Sequence, residues 1–179
     1  MGGLKKSTIM LCVCLSVAAT PAIAAPPVTK TGTTEAVIIR RLSFIKIDDL
    51  NFGRIIPSNI AGTVVLAPTG TRTSNNGIVL VSNTHQPARF AGQGSNGQAV
   101  TISISSNTIL INGPGAAMRV RNFVIGSNPT VALGTTPLRF TIASTTGVFA
   151  FPVGGTLEVG ANQAPGKYTG NWNITLNYQ

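Results

Sequence analysis

Gly166-Lys-Tyr-Thr-Gly-Asn-Trp-Asn-Ile-Thr-Leu-Asn-Tyr-Gln179 closes the chain, and its reading decides the fold. From Tyr168 the positions Tyr168, Gly170, Trp172, Ile174, Leu176 and Tyr178 alternate with Thr169, Asn171, Asn173, Thr175, Asn177 and Gln179. A pleated strand sends successive side chains to opposite faces, so this pattern predicts one long strand with an apolar and a wet face. The stretch holds the single Trp and both Tyr residues of the protein. A terminus this apolar frays unless it pairs inside a sheet, so Tyr168 to Tyr178 is expected as a core strand. Tyr168, Trp172, Ile174, Leu176 and Tyr178 are the residues expected to pair or pack there. Which strand pairs with it, and from which molecule, is the functional question.

Upstream, short β-rich segments recur with turn chemistry between them. Strands are expected at Ala36 to Lys46, through Arg54 to Ile56, at Gly62 to Ala67 and at Ile78 to Ser82. Further ones are expected at Ala88 to Ala91, Ala99 to Ser105, Thr108 to Ile111, Met118 to Ile125 and Leu138 to Ile142. Val148 to Phe151 and Thr156 to Val159 complete the set before the closing strand. The separators are rich in Gly, Asn and Pro: Asn75-Asn-Gly77, Gly92 to Gly97, Asn112 to Gly115, Gly126 to Pro129, Gly147 and Gly154-Gly155. Asn-Gly is a strong turn signal because both residues tolerate positive φ. No segment carries a sustained 3.6-residue apolar period, so almost no helix is expected. Strands at roughly 8–12-residue spacing point to one all-β, immunoglobulin-like sandwich of about 8–10 strands, placed at residues 35–179.

The start reads as an export leader. Lys5 and Lys6 precede an apolar run from Ile9 to Ala19, and Ala22-Ile-Ala24 supplies small residues for cleavage after Ala24. The run is shorter than the roughly 20 residues that span a bilayer. Residues 1–24 are therefore expected as a signal peptide and residues 25–34 as a mobile, Pro- and Thr-rich lead. This places the protein in the periplasm, on the outer cell surface or outside the cell. Both cysteines, Cys12 and Cys14, lie within the leader.

Composition leaves little room for catalysis. The chain has 4 acidic residues and 1 His among 179 residues. His85 sits in the polar stretch Asn83-Thr-His-Gln-Pro87 and is expected in a solvent-exposed loop, not in a metal set of three or four N or S ligands. No Gly-x-Ser-x-Gly turn is present to place a serine nucleophile beside it. Asp48-Asp49 could offer oxygen ligands to calcium, but an Asx-turn or strand cap is the expected role. Neighbouring aspartates on a strand face opposite ways, which rules them out as a glycosidase pair. The Gly-rich segments precede no helix pattern and read as hairpin tips, not as phosphate loops. Asn173-Ile-Thr175 matches a glycosylation acceptor but lies inside the expected strand.

The chain is basic, with 13 Lys and Arg and a net charge of +9. Arg119 and Arg121 alternate with Met118 and Val120, which describes a half-solvated strand whose charges discourage stray edge pairing. The remaining basic residues are scattered without interleaved aromatics, so nucleic-acid binding is not expected. A weak attraction to acidic envelope polysaccharide is. No cofactor, no metal and no enzymatic activity are expected.

Several motifs together resemble a bacterial secreted family known as domain of unknown function 4402. They are Asp49-Leu-Asn-Phe-Gly53, Ala88-Arg-Phe-Ala-Gly-Gln-Gly94, Ala99 to Ile104, Val153 to Val159, Gly166 to Gly170 and the alternating end at Tyr178. The resemblance implies export from a Gram-negative cell and a compact sandwich, and it brings no catalytic or ligand residues with it. Gly166, Tyr168 and Tyr178 also resemble the ending of chaperone-usher pilus subunits and of spore-coat-protein-U-like domains. That likeness implies a groove filled first by a periplasmic chaperone and later by a neighbouring subunit, through β-strand addition. The expectation is an exported, non-enzymatic, pilin-like surface or fibre subunit. A monomeric module binding envelope or extracellular glycans is the alternative. Whether Val37 to Ile47 pairs within its own molecule or with another is left open.

Overall fold

The longest strand, Val148–Val159 (12 residues), explains most of the architecture. Its sequence, Val-Phe-Ala-Phe-Pro-Val-Gly-Gly-Thr-Leu-Glu-Val, carries rings at its start and aliphatic residues at its end, and each half meets different neighbours. The structure is a computed structural model that describes residues 28–81, 83–126 and 129–179. Those residues form thirteen strands and no helix. In chain order they are β1 Ser43–Asp48, β2 Ile55–Ile56, β3 Gly62–Leu66, β4 Arg72–Ser74, β5 Val79–Leu80, β6 Ala88–Gln93 and β7 Ala99–Ile104. β8 Thr108–Ile111, β9 Met118–Ile125, β10 Val131–Ala132, β11 Leu138–Thr141, β12 Val148–Val159 and β13 Ile174–Tyr178 follow.

Eight strands make one sheet around β12. Val153 pairs with Ala88 of β6 and with Ile125 of β9, so those two strands lie on opposite edges of β12. Leu157 likewise pairs with Val64 of β3 and Val120 of β9. β1 extends this sheet beyond β6, β4 beyond β3, and β8 and β10 beyond β9. A second sheet runs β11-β7-β13, and β2 pairs with β5. Every ladder is antiparallel.

Inward residues of both larger sheets share one core: Val64, Leu66, Phe90, Val120, Phe123, Val153 and Leu157 from the first, Ile102 and Ile104 from the second. Among the described residues that core contains no buried polar side chain. Each fully buried Val, Leu or Ile contributes about 1.5–3 kcal/mol relative to exposure, so this alternation is what holds the sheets face to face. A cluster of rings extends the core, with Phe44, Phe90 and Phe151 mutually stacked at centroid distances of 5.4–5.9 Å.

The contact map separates two compact units, Met1–Ala36 and Val37–Gln179. The signal-peptide reading of residues 1–24 and both cysteines lie outside the described residues. In the first unit, residues 28–36 are exposed and carry no regular structure.

Thr108–Ile111 and Met118–Ile125 have the bounds expected of them. Asn76 and Gly77 both adopt positive φ (53° and 74°), and Ile78 N–H donates to the Asn75 carbonyl at 3.1 Å. This is the tight turn that Asn-Gly signals, though β4 and β5 pair with β3 and β2 and not with each other. Other expectations are corrected. Thirteen strands replace 8–10, because two- and three-residue pairings such as β4 and β10 carry no alternation a sequence could display. Gly154-Gly155 is no separator: β12 runs straight through it. A Cβ at Gly154 would collide with the Leu66 carbonyl oxygen, so glycine is there for close approach between strands. The ladder to β9 also shifts register between Gly154 and Thr156, opposite Asn122, whose φ is 51°. This is a β-bulge. It explains why Arg121 and Asn122 are both exposed before Phe123 turns inward. The expected strand Ala36 to Lys46 begins only at Ser43.

Candidate functional site

β13 answers the question of pairing. Ile174 to Tyr178 lies antiparallel to β7 of the same molecule, with Ile174 opposite Ile104, Leu176 opposite Ile102 and Tyr178 opposite Val100. The alternation is borne out to the last residue: Tyr168, Trp172, Ile174, Leu176 and Tyr178 are half-buried, and their polar neighbours are exposed. The expectation of a long core strand is corrected. Regular pairing covers five residues, and β13 is the edge of its sheet. Ser105 N–H donates to the Asn173 carbonyl and Gln179 N–H to the Ala99 carbonyl, each at 3.0 Å. Backbone groups alternate sides along a strand, so those of Ile174, Leu176 and Tyr178 point away from β7. Among the described residues no strand pairs with that edge.

The two tyrosines are clamps. The Tyr178 hydroxyl accepts from Ser95 N–H at 2.9 Å and donates to the Arg40 carbonyl at 2.8 Å. The Tyr168 hydroxyl accepts from Gly115 N–H at 3.0 Å and from Gln163 Nε2 at 2.8 Å, and donates to the Ala164 carbonyl at 2.9 Å. Thr169 meanwhile bridges to Asn112 just past β8. Between these ties, Trp172 stacks on Phe123 at 5.2 Å and meets Phe90 edge-on at 5.6 Å.

Beside Trp172 the core opens. A groove of about 1240 Å³ lies between the 163–172 segment on one wall and the 49–57 segment, including β2, on the other. Its floor is the inner face of β8, β9 and β12: Ile109, Ile111, Met118, Val120, Phe123, Leu157 and Val159. Small-molecule sites typically span about 300–1,000 Å³, so this opening is larger than such a ligand needs. Leu50, Ile55, Ile111, Met118 and Trp172 pack against the core yet remain half-exposed here. On the far wall, among the described residues, β2 pairs only with β5. The Arg54 carbonyl accepts from Val81 N–H on the β5 side, which turns the backbone of Ile55 the other way. The far wall thus carries a strand with one unused edge, and β13, which begins just past Trp172, carries another.

Of the sequence-chosen residues, Tyr168 and Trp172 line the groove. Ile174 and Leu176 continue from that wall and pack on the core, while Tyr178 pins the far end of β13. The opposite wall was missed, because residues 49–53 read as turn chemistry and Arg54 to Ile56 as one more short strand, not as half of a site.

The other candidates stay apart. Asp48 ends β1 and sits 3.6 Å from Arg89, and Asp49 is paired with Lys46 at 2.5 Å. The Asx turn expected there belongs to Asn51, whose Oδ1 accepts from Gly53 N–H at 2.8 Å. His85 is in a loop but half-buried, not solvent-exposed: Nε2 lies 3.1 Å from the Gly70 carbonyl, and Nδ1 is buried without a hydrogen-bond partner. Arg121 pairs with Glu158 on the outer face of β9 and β12. Among the described residues, no three His, Cys, Asp or Glu side chains are grouped to hold a metal, and no helix is long and apolar enough to cross a membrane.

Neither a curated protein nor a solved structure matches the chain. One family does, over residues 42–178, which takes in β1 through β13 and both walls of the groove. The chain belongs to the family described as Domain of unknown function (DUF4402).

Proposed function

We propose that this protein is an exported, non-enzymatic structural subunit, pilin-like in its logic, that assembles at the cell surface by accepting a strand from another molecule. One observation carries the reading: a groove with half-exposed apolar residues runs beside β2, whose one edge is unused, and ends at Trp172, just before β13, whose outer edge is also unused. A strand laid there would find backbone partners on β2 and cover the half-exposed Ile111, Met118 and Trp172. A periplasmic chaperone paired with an outer-membrane usher is the class of partner that would guard such a groove before assembly. The glycan-binding alternative draws less support, because one face of the single indole is already covered by Phe123.

Size exclusion with light scattering on the full chain, over a wide concentration range, tests this reading. Concentration-dependent multimers are expected. A cooperative, highly stable monomer at every concentration would sink it.

A further inference from the structure

We infer that the groove beside Trp172 binds, in the lone molecule, a single long alkyl chain ending in a carboxylate. The inference concerns the dilute monomer and does not rest on the subunit reading. The lining residues decide the chemistry. The neutral polar side chains there are Asn51, Gln163, Tyr168, Thr169 and Asn171, and three of them are spent within the protein. Asn51 Oδ1 accepts from Gly53 N–H, and its Nδ2 donates to the Thr84 carbonyl. Gln163 Nε2 donates to the Ala116 carbonyl and to the Tyr168 hydroxyl. That hydroxyl also accepts from Gly115 N–H and donates to the Ala164 carbonyl. Thr169 and Asn171 remain, too few to replace the water around the hydroxyls of a sugar ring. Leu50, Ile55, Ile111, Met118 and Trp172 meanwhile leave an apolar surface half-exposed. The body of a ligand that fits here is apolar.

Charge supplies the head. Lys46, Arg54 and Lys167 line the groove, against Asp49 alone among acids. Lys46 and Asp49 neutralise each other at 2.5 Å. The other acidic side chains of Val37–Gln179 are also taken, Asp48 by Arg89 and Glu158 by Arg121. Arg54 and Lys167 are exposed and have no acidic partner among the described residues. An anion beside them gains attraction without displacing an existing pair, and a cation is repelled. Arg54 belongs to the 49–57 wall and Lys167 to the 163–172 wall, so an unpaired cation stands on each side of the apolar floor. The shape favours a free chain over a bilayer, because a groove between two walls encloses one chain, whereas a membrane docks on a flat or protruding face. A compact ligand needs a site of about 300–1,000 Å³, and the larger opening here suits an elongated one.

The test titrates the full chain, kept dilute, with decanoate, dodecanoate and tetradecanoate below their micelle-forming concentrations. Trp172, the only tryptophan, lines the groove, so its emission reads occupancy and ω-bromodecanoate should quench it on contact. Saturable binding is expected, with affinity rising about fourfold per added methylene. Decanol, with the same chain and no charge, should bind about fivefold more weakly, and so should decanoate to the R54Q/K167Q variant. A melt verifies that the variant is folded, as expected for two exposed side chains. If no chain shifts or quenches Trp172, the assignment is overturned. Decanoate that binds no tighter than decanol, or as tightly to the variant as to the wild type, would overturn it too, leaving a neutral apolar site. A Trp172 response to phosphatidylglycerol vesicles but not to free chains would instead mark a bilayer-docking face. Multimers at every concentration, with Trp172 closed to ω-bromodecanoate, would show a second copy in the groove and no amphiphile.

Discussion

Gly154 and Gly155 are adjacent, yet alanine should have opposite consequences at the two. At Gly154 an added Cβ meets the Leu66 carbonyl oxygen, with Ala67 C and Pro68 N each 2.8 Å away. All three are backbone atoms at the end of the neighbouring strand β3 and just past it, and cannot rotate aside. Overpacking of this kind costs about 1–3 kcal/mol, and here β3 would have to separate from β12, which places Gly154→Ala at the upper end. At Gly155 the nearest atoms are 3.5 Å away, ordinary van der Waals contact, and the glycine does not adopt positive φ. Alanine there also restricts the unfolded chain, so Gly155→Ala should be neutral or stabilising by up to about 1 kcal/mol. Thermal melts of the two variants against wild type check this. At roughly 2–4 °C per kcal/mol for a chain of this size, Gly154→Ala should melt several degrees lower and Gly155→Ala no lower. Equal losses at both positions would indicate a hairpin turn with positive φ and refute the continuous strand.

Tyr178→Phe removes one hydroxyl that accepts from Ser95 and donates to Arg40, and should cost about 1–2 kcal/mol by chemical denaturation. Gly77→Ala forces a Cβ into a backbone with φ of 74°, so it should destabilise by about 1 kcal/mol in the same assay. Ile38→Ser, at a side chain 95% exposed, should leave the melting of the protein within about 0.5 kcal/mol of wild type.

How far the sequence could be read follows from what each residue does. Met118-Arg-Val-Arg was legible because its alternation reflects a real difference between a core and a wet face. Gly154-Gly155 was not, because glycine used for close approach and glycine used for positive φ look alike in one dimension. The β-branched Val37-Ile-Ile39 read as a strand because propensity names a conformation but not a partner, and within this molecule it has no sheet to join. Tyr168, Trp172, Ile174, Leu176 and Tyr178 were found as an apolar face. Their rings carried the signal. The hydroxyl clamps to Arg40 and Gly115 did not, since they depend on which distant loops come near. The far wall of the groove, Asp49 to Pro57, has no periodicity at all and became visible only opposite Trp172.

Hydrogen exchange along β13 tests the central claim most directly, because the backbone groups of Ile174, Leu176 and Tyr178 point to the unused edge. In dilute monomer those amides should exchange faster than Thr175 and Asn177, which face β7. As the protein assembles at higher concentration they should become protected, together with Ile55 of β2, whose backbone also faces an unused edge. Amides of Ile174 and Leu176 that exchange equally fast in monomer and assembly would contradict the account, since no strand would then lie along that edge.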